Sequence, residues 1–353
     1  MLVLSFGGVA VPRPLRVQSK ESIYFVTNRC LQRRFLLTPS PKLNRIILGC
    51  LGRAVCKHGV KLFAYVFMSN HFHMVVRAPR LNLHAFLMMF QSSLAREVNR
   101  LLGRTGTVFP KPFTSPVILD DVALEEKLLY ILMNPVHAGL VEHPADWPGV
   151  ISWEPLMSAA PVRCLWLDRT WLGRMRRKTP LVPEIQACKS YEFELEGLPH
   201  WSQGSPQDRA ARLSLMVEEA CGQARHQREA EGGHVKGAEA VMSTAPTSRP
   251  QTSPQKTPCP PCHTSCRQRR KQFLLQRRAI TDAYKVASAR WRAAWQARGP
   301  GQPFQARVRF PPGTIAPTVQ KVCWDDVCGD FEALERASRL SRGSPGAHHL
   351  TRL

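Results

Sequence analysis

Two histidines lie one residue apart in an apolar run, FMSNHFHMVV, at residues 67–76. In an extended strand successive side chains point to opposite faces, so His71 and His73 share one face and Phe72 faces the other way with its apolar neighbours. The apolar face can pack on a core. The two imidazoles are a candidate pair of metal ligands, although an isolated His-x-His motif also occurs as an ordinary polar pair.

A tyrosine and an asparagine in the sequence YILMNP could complete this site. Tyr130 and Asn134 are four residues apart, so on a helix they project from the same face, one turn apart. Pro135 disfavours helical geometry at Asn134, which predicts that the helix ends there. If this helix packs over the sheet face that carries the histidines, two imidazoles and a carboxamide converge beside a phenol. That arrangement is a metal site next to a nucleophile.

Attack on a phosphodiester is the chemistry that such a group suits. A divalent ion held by three neutral ligands keeps its full charge and open positions, so it can polarise a phosphate and stabilise the leaving oxygen. A closed structural zinc site would need a fourth protein ligand. A tyrosine can form a covalent intermediate once a neighbouring charge favours its anion. The covalent bond would conserve the phosphodiester energy for rejoining.

The elements that must position these side chains follow from the sequence pattern. Strands are predicted where β-branched and aromatic residues cluster, at 21–29, 61–68, 71–77 and 115–119. Helices are predicted where apolar residues recur at helical spacing between capping residues, at 40–59, 82–103 and 121–134. The order β-α-β-β-α-β, followed by the helix with Tyr130, predicts an α+β fold of the ferredoxin-like split βαβ type.

The charge of the chain points to an anionic partner. The 353 residues include 49 Lys and Arg against 26 Asp and Glu, a net charge of +23. Such an excess concentrates polyanions near the surface, so nucleic acid is the leading partner. Eleven cysteines without a paired framework favour a reducing compartment, and we expect a cytoplasmic protein. No apolar run reaches the roughly 18 residues of a membrane helix.

The chain beyond residue 155 is less informative. We predict a largely helical and partly disordered basic C-terminal extension, in three parts: a helical extension at 156–239, a Pro/Ser/Thr-rich linker at 240–266 and a basic helical region at 267–353. The motif CPPCH at 259–263 matches a haem attachment site only formally, and we interpret it as a coincidence within the linker. The segment 267–298 mixes arginines with aromatic residues, which suits either DNA contact or packing.

At these motifs the sequence resembles the REP-associated tyrosine transposases, within the larger group of one-tyrosine HUH single-strand DNA transposases. The resemblance covers about residues 11–155, preceded by an N-terminal extension at 1–10. Besides the two motifs above, it runs through these blocks in the family's order: VPRPLR (11–16), YFVTNR (24–29), GTVFPKPF (106–113), SPVILDD (115–121) and YILMNPVHAGLVEHPADWPGVISW (130–153).

The resemblance implies a ferredoxin-like catalytic domain in which His71 and His73 bind Mg²⁺ or Mn²⁺. Tyr130 would be the nucleophile, and Asn134 would complete the metal site. Family members cleave single-stranded DNA at hairpin or palindromic ends and form a 5′-phosphotyrosine bond. DNA contacts are expected at six further residues: Arg13, Arg16, Asn28, Arg29, Arg77 and Lys111.

Two positions depart from the family pattern. Phe25 stands where relatives often have histidine, and Pro112 stands where arginine or a similar polar residue is common. Two alternatives therefore stay open: an inactive nucleic-acid-binding protein derived from a transposase, and a metal-dependent nuclease in which water attacks and Tyr130 only packs. Both a homodimer and a monomer are compatible with the sequence.

Overall fold

The computed structural model describes residues 15–251, 259–297, 308–312 and 314, so Arg13 lies outside the described residues. By its internal contacts the chain forms two compact units, of which the first ends at Ala279 and the second begins at Ile280. The first unit holds the sheet and the candidate site.

The described residues form seven strands and eight α-helices. The first seven elements are β1 (Ile23–Arg29), α1 (Pro41–His58), β2 (Lys61–Met68), β3 (His71–Arg77), α2 (Leu83–Leu101), β4 (Val117–Ile118) and α3 (Asp121–His137). They are followed by α4 (Trp153–Ser158), β5 (Val162–Leu167), α5 (Arg169–Lys178), β6 (Cys188–Phe193), α6 (Pro206–Ala230), α7 (Ala238–Met242), β7 (Cys262–His263) and α8 (Arg267–Gln296), with four short 3-10 helices between them.

Local sequence explains where the first helix and the central hairpin begin and end. The Ser40 side chain accepts a hydrogen bond from the Leu43 amide at 3.2 Å, and Gly59 ends the helix in the left-handed conformation with φ of 62°. Ser69 and Asn70 alone join β2 to β3. A two-residue loop fixes the register of a hairpin, and this register brings Met68 opposite His71.

The strands form a mixed α+β fold around a five-stranded sheet in the order β2-β3-β1-β4-β7. β1 pairs antiparallel with both β3 and β4, and β2 pairs antiparallel with β3. Thr27 lies opposite His73 and Arg29 lies opposite His71. Because directly opposed residues share a sheet face, the histidines and Arg29 lie on the same side.

The two faces of the sheet carry different helices. Tyr24, Phe72 and Met74 pack in one core with residues of α1 and α2, as the alternation in β3 predicts. Phe25, Val66 and other residues of the opposite face pack in a second core with α3 and α6. Burying a large apolar side chain contributes roughly 1.5–3 kcal/mol, so the second core holds α3 over the histidine face.

The helix that carries Tyr130 differs in its ends from the prediction. Asp120 rather than Asp121 is its N-cap, accepting from the Ala123 amide at 2.8 Å, and the helix runs past Asn134 to His137. Pro135 lies inside the last turn. A proline this near the end removes a single amide hydrogen bond, and the buried Val136 packs in the core, so the helix continues.

The region beyond residue 155 differs from the predicted elements in two respects, and the compact unit continues past residue 155 to Ala279. The segment 156–239 contains β5 and β6 as well as helices, because these strands pair antiparallel with each other and pack beside α1. The last residues of the predicted linker form β7, which joins the main sheet. Among the described residues, none of the helices has the length and apolar character needed to cross a membrane.

Candidate active site

The two histidines of β3 occupy one face of the sheet beneath α3. His71 Nδ1 lies 2.6 Å from the side-chain oxygen of Asn70. When Nδ1 donates its hydrogen to that oxygen, the lone pair of Nε2 is left free to bind a ligand. His73 is only 6% exposed, and its Nδ1 is buried without a hydrogen-bond partner among the described residues.

Both imidazoles are held in the neutral form. Burial lowers the pKa of His71 to about 4; the charge of Arg29 adds to this effect, and a hydrogen bond with the Asn134 side chain opposes it. Burial, the neighbouring His71 and two nearby cations lower the pKa of His73 well below its usual value. Since a metal binds the neutral imidazole, the site keeps both side chains in the binding form at neutral pH.

Tyr130 lies against His73 on the face of α3 that meets the sheet. The two ring centroids are 5.3 Å apart and nearly perpendicular, at 83°. The Tyr130 side chain is also 40% exposed, so solvent and substrate can reach it. The hypothesis of a metal site beside Tyr130 requires α3 to pack over the histidine face, and α3 lies there.

Phe25 forms an aromatic wall beside these two groups. Its ring stacks on His73 at 5.2 Å and meets the edge of Tyr130 at 5.8 Å. Phe25 is buried, so this side chain is an apolar support rather than a polar ligand. Aromatic pairs of this kind contribute about 0.5–1.5 kcal/mol each, which is enough to restrict the ring of Tyr130.

Two cationic side chains lie near Tyr130. Arg29 is exposed at the end of β1 and interacts electrostatically with Tyr130 and with both histidines. Lys127 Nζ lies 5.5 Å from the Tyr130 ring centroid and 5.6 Å from that of Phe25. Within the described part of the chain, neither cation forms an ion pair with a carboxylate. The surroundings of the phenol therefore suit an anion such as a phosphate.

Lys127 is a residue that the sequence analysis missed. It lies three residues before Tyr130, so the two side chains occupy neighbouring positions on the same helix face. This spacing was visible in the sequence. Whether Lys127 lies near the histidines depends on which face of α3 packs on the sheet, and only the tertiary structure decides that.

The donor set fits a divalent cation with open coordination positions. His71 and His73 supply two neutral imidazoles, and Asn134 is close enough for its side chain to hydrogen-bond to His71. No cluster of three or more His, Cys, Asp or Glu residues in the described ranges could hold a metal. The third candidate ligand is therefore the carboxamide of Asn134.

Three of the other predicted DNA contacts remain on the surface. Arg29 borders the site, as described above, and Lys111 is exposed. Arg16 lies over the Phe113 ring, 3.8 Å from its centroid, and donates to the Phe113 carbonyl at 2.5 Å. Arg16 thus holds the loop that also carries Lys111.

Asn28 and Arg77, which were also predicted to contact DNA, form bonds with other residues of the protein. Asn28 is buried and its amide donates to Gln91 Oε1 at 3.0 Å and to the Lys111 carbonyl at 3.1 Å. These bonds hold the Asn28 side chain inside the protein, whereas the prediction placed it in contact with DNA. Arg77 lies at the opposite end of β3 from His71 and forms ion pairs with Glu21 and Glu196.

Two of the solved structures that match part of this chain are described as transposases. A REP-associated tyrosine transposase bound to a REP hairpin is 17% identical, with a TM-score of 0.36, and the match covers 40% of this chain and 83% of that protein. A candidate transposase from Deinococcus radiodurans R1 is 12% identical, with a TM-score of 0.24, over 30% of this chain and 85% of that protein. No protein-family model matches the chain, and no curated protein matches it.

Proposed function

We propose that this chain is a metal-dependent tyrosine transposase that cleaves and rejoins single-stranded DNA with hairpin or palindromic ends. The observation that carries the proposal is the contact of Tyr130 with His73, on the sheet face that also holds His71. The resemblance of residues 11–155 to the one-tyrosine HUH transposases supports it independently. The strand order β2-β3-β1-β4 supports a ferredoxin-like framework for the site.

In this mechanism Tyr130 Oη attacks the phosphorus atom of a backbone phosphate. A bond forms between the phenol oxygen and phosphorus, and the bond from phosphorus to the 3′-oxygen breaks. The phenol proton leaves to solvent, and the departing 3′-oxygen takes up a proton. The products are a 5′-phosphotyrosine and a free 3′-hydroxyl, from which the reverse reaction rejoins a strand.

The chain's own residues divide the remaining tasks. Arg29 and Lys127 hold the negative charge of the phosphate next to the phenol, since both are cations without a carboxylate partner in the described ranges. His71, His73 and Asn134 would hold Mg²⁺ or Mn²⁺. The ion, when bound, polarises the phosphate and stabilises the leaving oxygen. Phe25 packs against the rings of both Tyr130 and His73 and supports them.

The proposal predicts a covalent protein–DNA adduct. The full chain is incubated with single-stranded DNA from the flanks of its own gene, with Mg²⁺ or Mn²⁺, and resolved on denaturing gels. We expect an SDS-resistant adduct with single strands and little with duplex DNA of the same sequence. Cleavage to free 5′-phosphates without an adduct would identify water as the nucleophile. Bound but intact DNA would identify an inactive binding protein.

The role of Lys127 can be tested through the salt dependence of binding. Lys127→Met keeps most of the side-chain volume and removes the charge. We expect weaker binding of single-stranded DNA, and a slope of log affinity against log salt that is shallower by about 0.7, the value for one lost contact with a single strand. Fluorescence anisotropy over a range of salt concentrations measures both quantities.

A matched control comes from the other side of the sheet. Lys42 is exposed on α1, which packs on the face opposite the histidines, so Lys42→Met removes the same charge away from the site. We expect Lys42→Met to bind with wild-type affinity. Equal salt slopes for Lys127→Met and wild type would exclude Lys127 from the phosphate contact.

A further inference from the structure

Strand β7 brings a distant part of the chain to the edge of the main sheet, beside the candidate site. Cys262 and His263 pair in parallel with Val117 and Ile118 of β4. The Leu119 amide donates to the His263 carbonyl at 2.9 Å, and the Val117 amide donates to the Pro261 carbonyl at 3.4 Å. We call residues 261–269 the docked segment. Backbone hydrogen bonds thus attach this segment just before the start of α3.

The docked segment also holds the N-cap of α3. The Asp120 carboxylate caps the helix and accepts hydrogen bonds from the Ser265 amide at 3.0 Å, from Ser265 Oγ at 3.1 Å and from Thr264 Oγ1. Partial burial raises the pKa of Asp120, but the hydrogen bonds from Thr264, Ala123 and Ser265 outweigh it and lower the pKa overall. Arg269 donates to the Leu119 carbonyl at 3.0 Å. Four residues of the docked segment therefore bind the two residues that precede α3: His263, Thr264, Ser265 and Arg269.

A second contact joins the docked segment to the aromatic wall of the site. The His263 ring meets Phe25 nearly perpendicularly, at 86° and 5.5 Å between centroids. Phe25 in turn contacts His73 and Tyr130. Burial, with a contribution from Lys127, lowers the pKa of His263 to about 4, so the ring is neutral at neutral pH. His263 therefore supports Phe25 as an uncharged aromatic ring.

We propose that the docked segment positions Tyr130 for reaction, through the Asp120 cap of α3 and through the contact of His263 with Phe25. Tyr130 is the tenth residue of α3, about 15 Å along the helix from its start. A small rotation of the helix start therefore displaces the phenol. Because misplacement by about 1 Å can slow a reaction by 100-fold, the hold on the helix start matters for rate. The expected effect on the reaction rate rests on the proposed function, whereas the contacts that fix the start of α3 do not depend on it.

The first test removes the hydroxyl groups that bind Asp120. In the full chain, Thr264→Val combined with Ser265→Ala deletes two of the hydrogen bonds to the carboxylate and leaves the Ser265 backbone amide in place. Three quantities are measured: hydrogen–deuterium exchange of the amides of residues 121–130, the single-turnover rate of adduct formation with single-stranded DNA, and the affinity for that DNA. We expect faster exchange, an adduct rate at least tenfold lower and DNA affinity within twofold of wild type. The single variant Thr264→Ser keeps a hydroxyl at both positions, so it should show the wild-type exchange and the wild-type adduct rate.

The second test separates ring contact from polarity at His263. His263→Ala removes the support of Phe25 and should lower the adduct rate at least tenfold with little change in DNA affinity. His263→Phe keeps an aromatic ring there and should retain most of the wild-type rate. A structural role alone would change the melting temperature and the rate together, whereas positioning lowers the rate in protein that remains folded at the assay temperature.

Each outcome decides the proposal. Unchanged exchange of residues 121–130 in the Thr264→Val, Ser265→Ala variant overturns it, as does faster exchange with a wild-type adduct rate. Loss of rate in proportion to loss of folded protein also overturns it. If wild type forms no adduct at all, the proposed function fails, and the exchange measurement still decides whether the docked segment holds α3.

Discussion

Tyr130→Phe should bind single-stranded DNA as tightly as wild type and form no covalent adduct. The change removes a single oxygen atom and keeps the ring that packs on Phe25 and His73. Among the described residues no hydrogen bond to the Tyr130 hydroxyl is present, so the free energy of unfolding should change by less than about 0.5 kcal/mol. Adduct formation should fall below detection, because the change removes the proposed nucleophilic oxygen itself.

A matched tyrosine supplies the control for this prediction. Tyr191 lies on β6, which packs beside α1 on the opposite side of the sheet, so Tyr191→Phe should form the adduct at the wild-type rate. Mass spectrometry of the wild-type adduct after proteolysis should place the nucleotide on the peptide that contains Tyr130. Cleavage by Tyr130→Phe at the wild-type rate would mean that water or another residue is the nucleophile.

Replacing either histidine of β3 should stop cleavage and leave most DNA binding intact. DNA binding depends on many phosphate contacts spread over a chain of net charge +23, whereas metal binding depends on a few ligands. His71→Ala and His73→Ala should therefore bind DNA within a few-fold of wild type and form no adduct with Mg²⁺ or Mn²⁺. Nitrogen-rich coordination favours Mn²⁺ over Mg²⁺, so wild type should be at least as active with Mn²⁺.

The folded state of these variants has to be measured, because His73 is buried. Circular dichroism and thermal unfolding should show a folded protein for His71→Ala, whose side chain is partly exposed, and some loss of stability for His73→Ala. His226 is exposed on α6, and His226→Ala should cleave as wild type does. Full activity of wild type in excess chelator would contradict the metal requirement.

The residues of the β2–β3 hairpin show how much the sequence determines by itself. A period of two places His71 and His73 on one face, and the two-residue loop at Ser69 and Asn70 sets the register. The same local rules gave the Ser40 cap of α1 and the common face of Tyr130 and Asn134. These features follow from the sequence because they depend on residues within a few positions of each other.

Other features were decided by contacts between residues that are far apart in the chain. The resemblance implies a DNA contact at Asn28, yet its side chain is buried and bonds with Gln91 and Lys111, which the sequence around Asn28 does not specify. Arg77 forms ion pairs with Glu21 and Glu196, and the pairing with the distant Glu196 depends on the fold. The position of Lys127 beside Phe25 and Tyr130 likewise depends on which face of α3 meets the sheet.

The sequence by itself determined the chemistry that the site can offer: two histidines on one strand face, a phenol and a carboxamide on one helix face, and an excess of positive charge. Only the tertiary structure decided that α3 covers the histidine face and that β7 joins β4 at the start of that helix. The two-residue strand at Cys262 and His263 has no periodicity of its own to reveal it. Its position is fixed by bonds to Leu119 and Asp120, distant in the chain, because pairing between such segments depends on the whole fold rather than on local sequence.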